Sequence, residues 1–297
     1  MKPQPRVLVI RGGAIGDFIL TLPALRLLRE TIPGCHLEVL GYPAIAELAR
    51  TAGLADSIRS LEHRTMAPLF AKTAPIDEAL AEHLRSFNLV VSFLYDPDGH
   101  FRASMERIGV KTLIECSPLV KPEGPHASRQ LAQGLEKLAM FLEDEHLHRA
   151  HFPHHPAPHP RIAIHPGSGS EKKNWPLQNW QQVAATFPHA EIIYITGEAE
   201  AERHIHPTGH TLWHSLPLPE LAARLATCTA FLGHDSGISH LAAACGVPSL
   251  LLFGPTDPAI WAPPQPWIRF LRNPTHSIGD LCVEEVNLAA AQVVAKS

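Results

Sequence analysis

Short runs of buried-type apolar residues alternate with helical stretches along this chain, and that alternation restricts its fold more than any other feature. The apolar runs fall at residues 6–10, 36–40, 57–61, 89–94 and 110–115, then at 161–165, 191–196, 211–215, 231–232 and 248–253. Between them the apolar spacing is helical: 18–30, 43–51, 76–87, 101–108, 126–142, 177–187, 198–204, 219–227 and 238–245, with a last helix inside 278–296. Strands separated by helices are parallel strands, because a parallel pair needs a crossover, and both faces of such a sheet are covered. The fold class is therefore α/β. Residues 62–75 read as irregular, and Asp96–Gly99 as a turn.

The alternation breaks once. Residues 146–160 hold six histidines and four prolines, and proline at that density makes an extended, semi-rigid linker. Metal binding by the histidines lacks a helix or strand to set ligand geometry. The expected divisions are a first Rossmann-like domain over 1–145, the linker at 146–160, a second such domain over 161–275, and a C-terminal helix within 276–297 packing back on the body. Two linked halves of this kind predict a ligand cleft at the carboxyl ends of both sheets.

Composition narrows the function. At 297 residues, 45% hydrophobic and 18% charged, the chain is a globular protein. A net charge of −4 offers no global basic field for nucleic acid. The five cysteines (35, 116, 228, 245 and 282) form no C-x-x-C and read as reduced core thiols of a cytosolic protein. Met1 leads directly towards the first strand without a signal peptide, and no apolar run approaches the ~18–20 residues that span a bilayer. H-E-x-x-H, P-loop and G-x-S-x-G motifs are missing, so zinc proteolysis, P-loop phosphoryl transfer and serine hydrolysis lack their carriers.

Three loops carry chemistry. After the first strand come Gly12, Gly13 and Gly16, with Arg11 where a dinucleotide fingerprint has its first glycine. Asp17 at the helix start repels a pyrophosphate. It can cap the helix, or accept a proton from a hydroxyl. The second loop is Pro166–Ser170, in which Gly167, Ser168 and Gly169 precede Lys173. It reads either as a diphosphate cradle or as a solvated loop with a surface lysine. Glu198, Glu200 and Glu202 follow the next strand, and one of them could hold ribose hydroxyls. The third loop, His234–Gly237, opens a helix whose N–H groups at Ser236, Gly237 and Ile238 favour an anion, with His240 one turn on.

Together the three blocks, Val7–Leu25, His165–Pro176 and His234–Pro258, resemble glycosyltransferase family 9, the ADP-heptose:lipopolysaccharide heptosyltransferases, in the family's order and over nearly the whole chain. The resemblance implies a GT-B fold, two Rossmann-like domains with the active site in the cleft between them. It implies an inverting transfer of sugar, without metal or other cofactor, from a nucleotide diphosphate donor to a lipopolysaccharide-core hydroxyl. It also implies cytoplasmic work at the inner face of a bacterial envelope, with peripheral membrane contact. Asp17 matches the family's general base, and Lys173 the lysine that steadies the departing diphosphate. Asp235, Ser236, Gly237, Ile238 and His240 match the donor segment. Asp235 is assigned to the sugar hydroxyls because a carboxylate repels phosphate, and Glu200 to the ribose. For the acceptor the chain offers few cations: Arg64, Lys72 and Arg102 beside Gly13, with His63 and Arg107 as further options. His234 stands where relatives often carry a small or apolar residue. The rival readings are an NAD-dependent oxidoreductase, which the broken glycine fingerprint disfavours, and a non-enzymatic sugar-nucleotide-binding protein.

Overall fold

The computed structural model describes residues 4–295. The first residues of the expected run into β1, and Lys296 of the expected last helix, lie outside that range. The chain forms two compact units, Met1–His146 and Leu147–Ser297.

The first unit is a five-stranded sheet: β1 (Arg6–Arg11), β2 (His36–Gly41), β3 (Ser57–Ser60), β4 (Leu89–Ser92) and β5 (Leu113–Glu115) in the order β3-β2-β1-β4-β5. Every pairing is parallel. Val7–Arg11 are all buried, as a central strand covered on both faces requires. The second unit repeats the plan with β6 (Arg161–Ile164), β7 (Glu191–Thr196), β8 (Thr211–His214), β9 (Ala230–His234), β10 (Ser249–Phe253) and β11 (Ile268–Arg272). Its order is β11-β10-β9-β6-β7-β8, again all parallel. Both sheets are doubly wound. The strand order reverses between β1 and β4 in the first and between β6 and β9 in the second, and ligands of such sheets bind outside the carboxyl ends at these points.

Several elements differ from expectation. The helix expected over 18–30 is two helices, Ile15–Ile19 and Leu22–Thr31. Pro23 is the cause: in one continuous helix it has no N–H for the carbonyl of Ile19, and its ring presses on that carbonyl. Leu20 and Thr21 make the corner, and the Thr21 hydroxyl donates to the Asp17 carbonyl at 2.8 Å. The helix expected over 126–142 is an α-helix, Ala127–Ala132, continued as a 3-10 helix, Gln133–Leu138. Here Gly134 passes so close to the end of β5 that a Cβ on it would lie 2.5 Å from the Cys116 sulfur. Residues 62–75 contain a 3-10 helix, Arg64–Phe70, and β11 is a strand the sequence reading did not include.

The His/Pro-rich segment is extended but belongs to the second unit. The N–H groups of His151 and Phe152 donate to the Ala244 carbonyl at 2.7 and 3.0 Å, His155 N–H to Ala226 at 3.0 Å, and Ala157 N–H to Thr227 at 2.9 Å. Backbone groups paired in this way define a docked strap, not a free spacer. Among the described residues no group of three or more His, Cys, Asp or Glu side chains is arranged to hold a metal ion. The last helix, Val283–Val294, buries Val286, Ala289, Ala290 and Val293 in the same core as Trp180, Leu232 and Leu252. Four of the cysteines are buried and Cys282 is exposed, so it is not a core thiol. Burial pushes the Cys116 and Cys228 thiols up to about 12. Among the described residues no helix is long and apolar enough to cross a membrane.

Candidate active site

In each unit a group of the expected site residues falls at the switch point, where a strand's last buried residue gives way to a loop. β1 runs out into Gly12, Gly13 and the helix bearing Asp17. Gly13 has φ +99, a conformation that favours glycine, and its open Cα side faces the Asp17 carboxylate, 3.4 Å from where a Cβ would be. The Asp17 side chain is 41% exposed. Its Oδ2 accepts from the Ala14 N–H at 3.3 Å, which is the capping role. Oδ1 lies 4.0 Å from a guanidinium nitrogen of Arg11.

Arg11 is a residue whose part in this site the sequence did not reveal. It is 3% exposed. One guanidinium nitrogen donates to the Asp17 carbonyl at 3.2 Å, and its Nε has no partner. Burial lowers its pKa from the usual arginine range, against the pull of Asp17. The residue that breaks the glycine fingerprint thus puts a buried cation beneath Asp17.

The acceptor-side candidates are less gathered. Arg64 starts the 3-10 helix and is exposed, as is Lys72. Arg102 is ion-paired with Glu115, and its N–H donates to Asp96 at 3.0 Å. Arg107 donates to the Ala74 carbonyl at 3.2 Å.

The second unit brings its residues together more tightly. β6 leads into His165–Ser170 and β9 into His234–Ser236, and these strands are neighbours. Gly167 is required by contact: a Cβ there would lie 1.9 Å from Glu200 Oε1. The Ser168 hydroxyl is turned inward, 2.8 Å from the Ser170 carbonyl and 2.6 Å from Asn174 Oδ1. Arg203 donates to the carbonyls of Ser168, at 2.5 Å, and Gly169, at 3.3 Å. Gly169 is exposed, with open space where a Cβ would be. Glu200 is 4% exposed, and its Oε2 accepts from the Gly197 N–H at 2.8 Å. Oε2 of the carboxylate expected to hold the ribose is thus engaged as a cap within its own loop. Glu198 and Glu202 are the solvated members of the trio.

Ser236 caps the helix Gly237–Ala244, its Oγ accepting from the Ser239 N–H at 3.3 Å. The N–H groups of Gly237 and Ile238 in the first turn have no intrahelical acceptor. Beside them Asp235, 8% exposed, takes Lys173 Nζ at 2.6 Å and the Thr256 hydroxyl at 2.7 Å, both on Oδ2. His240 Nε2 stands 3.9 Å from Oδ1, outside hydrogen-bond distance. Burial alone would raise the Asp235 pKa, but His240 and Lys173 outweigh it and hold the carboxylate well below its usual range. Asp235 is the residue expected to hold sugar hydroxyls. In the structure one of its oxygens is committed to Lys173 and Thr256.

His234 explains how the two loops are joined. It is fully buried. Its Nε2 accepts from the Trp175 N–H at 2.8 Å and from Trp180 Nε1–H at 3.2 Å, and Nδ1 lies 3.3 Å from the Gly167 carbonyl. Those partners define one neutral tautomer, with the proton on Nδ1. Burial pushes its pKa down to about 3. His234 is a strut that ties the Gly167–Trp175 loop to the end of β9.

Comparison with known proteins extends this picture. The structure superposes on the glycosyl transferase family 9 crystal structure from Veillonella parvula with TM-score 0.78, at 18% identity, covering 100% of this chain and 99% of that one. It superposes on E. coli ADP-heptose lps heptosyltransferase II with TM-score 0.77, at 15% identity, covering 98% and 99%. These likenesses and the paired doubly wound sheets define a GT-B fold, the architecture of a class of glycosyltransferases. Lipopolysaccharide heptosyltransferase 1 of Salmonella typhimurium is 23% identical over 291 residues, covering 86% of this chain and 90% of that protein. The family model Glycosyltransferase family 9 (heptosyltransferase) matches residues 128–286. The chain belongs to that family and is a glycosyltransferase.

Proposed function

We propose that this glycosyltransferase moves heptose from ADP-heptose to a hydroxyl of the lipopolysaccharide core, with inversion and without a metal ion, at the cytoplasmic face of the inner membrane. The observation that carries the reading is the junction of Lys173, Asp235 and the Gly237–Ala244 helix start at the β6/β9 switch point. A cation and unpaired N–H groups at one strand edge suit a leaving diphosphate. The heptosyltransferase family and the ADP-heptose in the name of the E. coli relative support this choice of sugar and nucleotide.

Asp17 takes the proton of the acceptor hydroxyl as that oxygen bonds to the anomeric carbon. The bond from the anomeric carbon to the diphosphate oxygen breaks at the same time, and ADP leaves with the electron pair. Attack from the opposite face inverts the carbon. Lys173 and the N–H groups of Gly237 and Ile238 meet the charge that grows on the diphosphate, which is the work a metal does in other transferases.

The test is a panel of nucleotide sugars offered with heptose-free lipopolysaccharide core. ADP-heptose should be turned over, with UDP- and GDP-sugars left unused, and a heptosyl unit should appear on the acceptor. Preference for a UDP- or GDP-sugar would overturn the donor assignment.

A further inference from the structure

Lys173 ends in a mobile four-carbon stem with three rotatable N–H groups, so its charge needs something else to aim it. Asp235 is one part of that device. Its carboxylate is buried, and Lys173 Nζ rests on Oδ2 at 2.6 Å. A carboxylate held by one flexible donor can still turn about its own bond. The second donor to the same oxygen is the hydroxyl of Thr256, at 2.7 Å.

Thr256 comes from a different strand, in the turn after β10. A β-branched side chain has few χ1 states, so its hydroxyl is a stiff donor. The turn that carries it is fixed on both sides. Arg272 Nε donates to the Gly254 carbonyl at 3.2 Å, and Asp257 accepts from the Ala259 N–H at 3.0 Å to cap the helix Pro258–Trp261. Thus β6, β9 and β10 each deliver one member of the set, and the rigid member is the one farthest along the chain.

We propose that Thr256 is a positioning residue for the transfer: it locks the Asp235 carboxylate, and Asp235 in turn presets the Lys173 ammonium for the donor diphosphate. Thr256 acts through Asp235 and has no contact with the reacting atoms in this scheme. The proposal rests on the reading of Lys173 given above. A group aimed in advance is worth most where charge develops, so loss of aim costs turnover more than ground-state binding.

The experiment is a double-mutant cycle on the full chain with Thr256→Val, Asp235→Asn and the pair, with Thr256→Ser as the conservative variant. Three quantities are read: the melting temperature, the affinity for ADP by calorimetry, and turnover of ADP-heptose. Thr256→Val keeps the shape and removes the hydroxyl. It should lower turnover about tenfold, the size of a lost hydrogen bond to a charged group. ADP affinity should weaken only about two- to threefold. Thr256→Ser should recover most of the turnover, and in the Asp235→Asn background Thr256→Val should cost little more. The proposal is overturned if Thr256→Val melts and turns over like the wild type, or if its loss multiplies fully with that of Asp235→Asn. Should Thr256→Val melt early, the comparison passes to Thr256→Ser and Thr256→Ala, where equal losses contradict the proposal. Should the wild type leave ADP-heptose untouched, the donor assignment fails and the cycle is read in ADP affinity alone. Coupling there supports the role of Thr256, and additivity refutes it.

Discussion

Replacing His234 by Phe tests the strut between the two donor-side loops. Phe fills most of the imidazole space, so the cavity term is small, and the change falls on hydrogen bonds. The N–H of Trp175 and the Nε1–H of Trp180 both lose their acceptor inside a core where the two tryptophans are 1% and 0% exposed. A buried donor left unpaired costs about 1–3 kcal/mol, so the pair costs about 2–6 kcal/mol. That is a large part of the ~5–15 kcal/mol that holds a domain folded. There is a second signature in pH. His234 titrates near 6.5 in the unfolded chain and near 3 in the folded one. Between those values the unfolded chain binds a proton that the folded chain refuses. Stability from this group is therefore complete above about pH 6.5 and falls by about 1.4 kcal/mol per unit as pH drops towards 3. The assay is urea unfolding followed by tryptophan fluorescence, which reports the second unit because all five tryptophans lie within it. His234→Phe should be less stable at pH 7.5 and should lose stability less steeply than the wild type between pH 6.5 and 5. A variant as stable as the wild type, with the same acid slope, would refute the strut.

Further outcomes follow from single contacts. Gly167→Ala drives a Cβ to 1.9 Å from Glu200 Oε1, so the buried Glu200 side chain or the loop must shift; ADP affinity by calorimetry should fall at least tenfold, with a lowered melting temperature. Lys173→Met removes the cation on Asp235, and should weaken ADP binding and lower turnover by about 10²-fold, read in steady-state kinetics. In the native protein a disulfide reagent should label one thiol, Cys282, and the other four only on unfolding, as counted by mass.

How far the sequence carried depends on where each feature stores its information. The central strands were legible because both their faces are buried, which leaves continuous runs such as Val7–Ile10 and Leu250–Phe253. Strand β11 was not legible: it is an edge strand with no fully buried residue, and its apolar residues are broken up by Arg269 and Arg272. The break at Leu20–Thr21 was written in Pro23, but helical spacing continues across it, so periodicity alone joined the two pieces. The loops of the site were legible as Gly- and Ser-rich strand exits. Their internal wiring was not. His234 next to Asp235 reads as another polar loop residue until Trp175 and Trp180 are seen to donate to it, and those contacts join residues 54 and 59 positions apart. The same holds for Glu200, whose acidic, solvated-looking context hides a buried cap, and for Arg11, whose neighbours in sequence give no sign that it lies beneath Asp17.

In the proposed mechanism the labour is divided between the two switch points, proton transfer at Asp17 and donor charge at Lys173. Turnover and ADP binding measured side by side in Asp17→Ala test that division most directly. Transfer from ADP-heptose to the core acceptor should fall by at least about 10³-fold, the scale of a lost general base, while ADP affinity stays within about twofold of the wild type. Full transfer activity in Asp17→Ala, or loss of ADP binding in step with turnover, would contradict it.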